Sequence, residues 1–373
     1  TMKFPEKTQK DLEWPRLLRQ LAKRCTGDEA TSRCAELPFL SAAEARQRLA
    51  LVEEFMVCIR EGDPPPALPA VPIGEWLVHI RGEASVSGEA LRQVAKNVKL
   101  YIAISRFLEN RKDVCSKNAD LLVPDKHGMS ALGLARLASE IDSSFDPDGH
   151  ISDGASPELG RLRRRAISLR KNLVKQIERI SEKEDDLLQE RTITLRNDRF
   201  VVPVRADAHR RLPGIVHGAS GSGATIFVEP EQVIETGNEL MLAREEVLRE
   251  EARVLAELSS GVRDQLDEVA LANRLVIEVE IRIAAARLAV DLNARVPKPA
   301  DSGTANLIGI RHPLLLLDGV AVVPNDIVLE RGQAMVISGP YAGGKTVVLK
   351  TIGLISLMLA AGLPIPVDPD SFM

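Results

Sequence analysis

Ser156-Pro-Glu-Leu-Gly-Arg-Leu-Arg-Arg-Arg-Ala-Ile-Ser-Leu-Arg-Lys-Asn-Leu-Val-Lys-Gln-Ile-Glu-Arg-Ile180 places apolar side chains at Leu159, Leu162, Ala166, Leu169, Leu173, Ile177 and Ile180. This three-four alternation is the seam of a coiled coil. Ser156 can serve as an N-cap and Pro157 as the first helical residue, so one helix is expected from Pro157 to about Glu190. At 1.5 Å per residue it would reach roughly 50 Å, which suits an arm better than a compact core. A second array follows Pro230, with Ile234, Met241, Leu248, Leu255 and Val262 seven apart and Val233, Leu240, Val247 and Val254 beside them. Two such stripes predict a long antiparallel coiled-coil arm.

Between the arrays the pattern changes to Thr192–Leu195, a turn at Arg196–Arg199, Phe200–Arg205, Gly214–His217, a Gly-Ser-Gly turn at 221–223, and Ala224–Val228. Short β-branched runs with hairpin punctuation predict a small β module at the tip of the arm.

Upstream, Leu17, Leu18, Leu21, Leu49, Val52, Phe55, Met56 and Ile59 carry helical spacing, and a proline-rich stretch from Gly62 to Gly74 ends this first helical unit. Ser87 announces a further helix with Leu91, Val94, Val98, Tyr101, Ser105 and Leu108 along one face, and another runs from about Ser130 to Phe145. A turn cluster at 146–155 closes this helical core. Downstream, the runs Leu307–Ile310, Val320–Val323 and Ala334–Ile337 begin an α/β pattern. The fold class expected is mainly α with a small β module: helical core 1–156, outgoing helix 157–191, β-rich tip 192–230, returning helices 231–300, and the start of a P-loop domain at 301–373. The chain reads as truncated within that last domain.

Of the 373 residues, 45% are hydrophobic and 27% charged, which excludes a wholly disordered chain. Lys plus Arg number 49 against 53 Asp plus Glu, a net charge of −4, so nucleic acid could be held only by a local basic surface. Aromatic residues make up only 3%, which disfavours base stacking as the means of grip. Cys25, Cys34, Cys58 and Cys115 form no Cys-x-x-Cys motif, the six histidines show no metal-ligand spacing, and no leader opens the chain. A cytoplasmic location is expected. The most apolar stretch, Ile352–Leu363, is too short to span a bilayer.

Gly339-Pro340-Tyr341-Ala342-Gly343-Gly344-Lys345-Thr346 fits the P-loop pattern G-x-x-x-x-G-K-[ST]. Ala334–Ser338 reads as the buried strand before it and Thr346–Leu354 as the helix after it, so backbone N–H groups would cradle the phosphates of ATP. Lys345 would reach the β- and γ-phosphates and Thr346 would ligate Mg²⁺. Hydrolysis also needs an acidic residue at the end of another strand. Asp368 and Asp370 follow Pro366 without an apolar run before them, so that residue is expected beyond Met373, and turnover by this stretch is not.

The tip is locally basic. Arg196, Arg199, Arg205, Arg210 and Arg211 are the candidate nucleic-acid contacts, and they would meet phosphate oxygens without reading bases. The run Arg161, Arg163, Arg164, Arg165, Arg170 and Lys171 is read as the solvated face of a coil, and His312 as a turn residue. Two other readings compete: a non-enzymatic coiled-coil scaffold, and an SMC-like repair ATPase. In the SMC class the P-loop precedes the coiled coil, whereas here Lys345 follows both heptad arrays.

Arg311-His-Pro-Leu-Leu315, Val323-Pro-Asn-Asp326 and the P-loop ending Lys345-Thr346 resemble the start of the ATPase domain of the MutS family. Leu12-Glu-Trp-Pro-Arg-Leu17, Asp148-Gly-His-Ile-Ser-Asp153 and Gly214-Ile-Val-His-Gly-Ala-Ser-Gly-Ser-Gly-Ala-Thr-Ile-Phe-Val-Glu-Pro230 resemble its bacterial anti-recombination branch. The resemblance implies a homodimeric ATPase and endonuclease that clamps branched or recombination-intermediate DNA and suppresses homologous recombination. It also implies binding and splitting of collided ribosomes through rRNA contacts. Tyr341 stands where family loops usually carry Asn.

Overall fold

Ser41 opens a long buried helix through a capping box: its hydroxyl accepts from the Glu44 N–H, and the Glu44 carboxylate accepts from the Ser41 N–H. In the computed structural model, which describes residues 4–122, 130–300, 304–330, 332–338 and 344–373, this helix belongs to the series α1 (Glu6–Asp11), α2 (Trp14–Ala22), α3 (Asp28–Cys34), α4 (Ala42–Arg60), α5 (Gly74–Arg81), α6 (Gly88–Asn110), α7 (Ser116–Leu122) and α8 (Ala131–Ser143). There follow α9 (Pro157–Lys183), strands β1 (Thr194–Arg196), β2 (Arg199–Arg205), β3 (Gly214–Ala219) and β4 (Thr225–Pro230), then α10 (Glu231–Asp264) and α11 (Leu266–Asp291). The chain closes with β5 (Ala305–Ile310), α12 (Pro313–Leu317), β6 (Asn325–Leu329) and α13 (Lys345–Ala360). Among the described residues no helix is long and apolar enough to cross a membrane.

The chain divides into two compact units. The first comprises Thr1–Glu83, Ala90–Ser139 and Val262–Met373. Its centre is α11, where Val269, Ala272, Val276, Ile277, Val279, Ala284 and Ala286 are all fully enclosed. A helix with so broad an apolar surface has to lie mostly inside, and α2, α3, α4 and α5 pack around it. The proline-rich stretch is not a linker. It runs extended through the core, burying Leu68, Ala70 and Ile73, and the Asn97 side chain pins it by accepting from the Val71 N–H (3.2 Å) and donating to the Val71 carbonyl (2.8 Å).

Two expectations for the last section fail. Val320–Val323 forms no strand, and pairing falls instead on β6, antiparallel to β5. Residues 334–338 are also outside any strand, with Val336 87% exposed. The cause is the same in both cases: a strand exists only where a neighbour meets its N–H and C=O groups, and no described residue pairs with either run.

The second unit, Ala84–Glu89 and Glu140–Gly261, holds α9, the four strands and most of α10. α9 keeps the predicted seam, with Leu159, Leu162, Leu173, Ile177 and Ile180 buried. It ends at Lys183, about 40 Å long, because a 3-10 turn at Asp185–Leu187 redirects the chain before Glu190. On α10 the seam runs through Val233, Leu240 and Val254, while Leu248 of the other expected array is 64% exposed. The helices run side by side and antiparallel. Gln176 bonds Thr236 (3.4 Å), Arg165 pairs with Glu246 (3.1 Å), and Arg163 pairs with Glu251 (2.6 Å).

Strands β1–β4 form one antiparallel sheet in the order β1-β2-β4-β3. Asn197 and Asp198 at φ 47° and 60° make the tight β1–β2 turn, a left-handed conformation that these two residue types tolerate. Val202, Val204 and Val228 of the sheet share one core with Leu173, Ile177 and Ile180 of α9 and Val233 and Leu240 of α10.

Candidate nucleotide and nucleic-acid sites

The nucleotide candidate begins at Gly344, whose φ of +80° is the left-handed conformation that glycine adopts without strain. It stands as the N-cap of α13, so Lys345 and Thr346 open the first turn of a 16-residue helix. The Val348 N–H reaches the Gly344 carbonyl (3.0 Å), while the amides ahead of it lie before the first intrahelical bond, where a helix favours an anion. Gly344 and Thr346 are exposed. These residues fit phosphate and Mg²⁺ through amide donors, an ammonium and a hydroxyl. Gly339, Pro340, Tyr341, Ala342 and Gly343 lie outside the described residues.

The motifs upstream have structural partners. Asp326 accepts from the Gly309 N–H (2.8 Å), holding a bulge in β5 where Gly309 has φ +62°. Arg311 pairs with Asp368 at 3.1 Å, which gives that acidic residue a place in the core framework. His312 precedes Pro313 at the start of α12 and is 4% exposed; burial lowers its pKa, so its ring is neutral at pH 7.

The five tip arginines divide by their partners. Arg196 and Arg199 face each other across the β1–β2 turn, where two like charges would repel. They separate: the Arg196 guanidinium stacks 4.4 Å above the Phe227 ring, and Arg199 turns to Glu229 (3.3 Å) and the Asn238 side chain (2.7 Å). Glu229 is 2% exposed and also meets the His217 Nε2 at 2.7 Å. A Cβ on Gly237 would sit 3.0 Å from the Glu229 carboxylate, so α10 leaves a gap there for this cluster. Arg211 pairs with Asp186 (3.0 Å), and Arg205 makes a looser contact with Asp207 (3.4 Å). Arg210 is exposed and has no ion-pair partner among the described residues. Exposed Leu195, Ile215 and Val216 lie on the same module.

Half of the α9 basic run is neutralised, with Arg161 on Glu158, Arg163 on Asp153 and Glu251, and Arg165 on Glu246. Sequence reading missed the Glu229 cluster, although Glu229, His217 and Gly214 all stand in the 214–230 stretch that carried the family resemblance. Glu229 is the one acid of that stretch, with His217 twelve positions before it.

No protein-family model matches the chain. Among curated proteins, Endonuclease MutS2 of Anaeromyxobacter is 38% identical over 380 residues, covering 96% of this chain and 46% of the relative. Endonuclease MutS2 of Finegoldia magna is 32% identical over 368 residues, covering 98% of this chain and 46% of the relative. That of Caldanaerobacter subterraneus is 31% identical over 381 residues, with 98% and 46% covered. The chain spans about half the length of these relatives. Identity at this level, sustained from one end of the chain to the other, places it with the MutS family.

Proposed function

We propose that this chain is the clamping and nucleotide-sensing portion of a MutS-type, ATP-dependent DNA-binding protein. Helices α9 and α10 form a coiled-coil arm, the β1–β4 sheet is its tip, and Gly344–Thr346 belong to the P-loop at the start of an α/β ATPase domain. The observation that carries this reading is the pairing of α9 with α10 beneath a sheet whose Arg196, Arg205 and Arg210 remain exposed. Such a surface meets a phosphate backbone by charge alone, so it suits branched or duplex DNA regardless of sequence. Arg199, drawn toward the buried Glu229, stands behind these contacts, and Arg211 is held by Asp186.

Lys345 would hold the phosphates and Thr346 the Mg²⁺. When bound, ATP supplies charge that orders the residues around it. The family reading extends to a homodimer that suppresses recombination, an endonuclease activity in the complete protein, and contact with ribosomal RNA. The test is salt-dependent binding to four-way-junction and linear duplex DNA. Arg196→Ala, Arg205→Ala and Arg210→Ala together are expected to weaken both complexes and to flatten the slope of log K against log salt by roughly 0.9 per lost phosphate contact. An unchanged slope places the contact elsewhere. Lys345→Ala is expected to abolish ATP binding, and an unaltered affinity would leave the coiled-coil scaffold as the better reading.

A further inference from the structure

A half-buried arginine that no acceptor meets is out of the ordinary, and its surroundings show what it is held for. Arg48 lies on α4 and faces a cavity of about 510 Å³ walled by α3, α4, α7 and α11. No described residue accepts a hydrogen bond or forms an ion pair with it. Long cationic side chains usually escape this by bending out to water. Arg48 is held in place: Gly362, at φ +71°, lies so close to its methylenes that a Cβ there would come within 2.7 Å of Cδ.

Arg282 of α11 lines the same cavity and donates to the Asn118 side chain (3.3 Å), with Glu278 at 3.6 Å. Burial first, then the neighbouring Arg282, pushes the Arg48 guanidinium down to about 10; Cys34 and Glu278 act the other way. It remains a cation at neutral pH. The cavity's other carboxylates sit at its exposed edge, and Glu44 is engaged in capping Ser41. Leu37, Leu51 and Ile281, all buried, make the floor apolar.

We infer that this cavity binds a small phosphate-bearing anion, its oxygens gripped by Arg48 and Arg282 and any organic part resting on the apolar floor. Two neighbouring guanidinium groups call for a ligand with several acceptor oxygens and more than one negative charge, which phosphate provides and a single carboxylate does not. The cavity is distinct from the P-loop. Gly344 and Gly362 stand at opposite ends of α13, whose 16 residues separate them by about 24 Å. The inference therefore does not depend on ATP binding.

Calorimetric titration of the 373-residue chain tests it, with inorganic phosphate and AMP as probes, at fixed ionic strength against a chloride reference. Lys345→Ala serves as the background, so that the P-loop contributes no phosphate grip. Saturable one-to-one binding is expected in Lys345→Ala, weakened roughly tenfold or more by adding Arg48→Met or, should that variant not fold, Arg282→Gln. Tighter binding of AMP than of phosphate identifies an ester as the ligand, and equal affinities identify the free ion; both outcomes support the site. Absence of saturable binding in Lys345→Ala, or affinity unchanged by the arginine replacements, overturns it. Loss of ATP binding in Lys345→Ala is a separate readout, so either proposal can fail alone.

Discussion

Arg199 and Arg210 are both arginines of one basic segment, yet their side chains have different work. Arg199 is part of a buried cluster with Glu229, which also holds His217 and fits the gap left by Gly237. Removing the shared carboxylate takes away the His217 partner and leaves Arg199 with Asn238 alone. Glu229→Ala is therefore expected to lower unfolding stability by about 3 kcal/mol in urea denaturation. Arg210 contacts no acid among the described residues, so Arg210→Ala should leave stability within about 0.5 kcal/mol while weakening DNA binding. A stability loss in Arg210→Ala as large as that in Glu229→Ala would erase the distinction. Sequence supplied the charges of both residues. It did not show that one is drawn inward, because that depends on an acid thirty positions away.

Among the helices, the informative detail is which heptad stripe of α10 faces its partners. The sequence offers two adjacent stripes of similar hydrophobicity, and only packing chooses between them. Leu240 is 3% exposed and Leu248 64%. Leu240→Ala is expected to cost about 2–5 kcal/mol and Leu248→Ala within about 0.5 kcal/mol, measured by the same denaturation experiment. Gly237, Ala243 and Glu250 complete the inward face, which explains why apolar spacing alone does not choose between the stripes. Glu250 also ties the two helices. Its carboxylate takes a forked pair of bonds from Arg253 (2.7 and 2.8 Å) and accepts the Ser156 hydroxyl (2.5 Å), contacts that pull its pKa from 4.5 to about 2. A depressed carboxylate stabilises the fold above its unfolded pKa, and this contribution fades as pH falls through the folded value. Wild type should therefore exceed Glu250→Gln in stability above pH 4.5 and converge with it as pH approaches 2. A gap that persists in acid would rule out the carboxylate charge as the cause.

Across the whole chain, closure of the first unit depends on contacts that no local pattern announces. Glu280, 2% exposed on α11, accepts from the Thr26 N–H (2.5 Å), the Thr26 hydroxyl (2.9 Å) and the Gly27 N–H (2.6 Å), residues more than 250 positions away. A Cβ at Gly27 would come within 2.7 Å of the Ala70 backbone, so three distant segments meet at this point. Glu280→Ala should cost about 3 kcal/mol by stranding the buried Gly27 amide and releasing Thr26, and Gly27→Val should be worse tolerated, both read from thermal melts. What the sequence determined alone was local: the α9 seam, the hairpin turn within Arg196–Arg199, and a helix after the glycines at 343–344, expected from Thr346 and found from Lys345. Each follows from side-chain spacing or φ preference within a few residues. Tertiary structure decided the rest: the α10 stripe that is buried, the failure of 334–338 to pair, the path of the proline-rich segment through the core, and the inward turn of Arg199. Those outcomes require a partner from elsewhere in the chain, and spacing within a segment carries no record of what will stand opposite it.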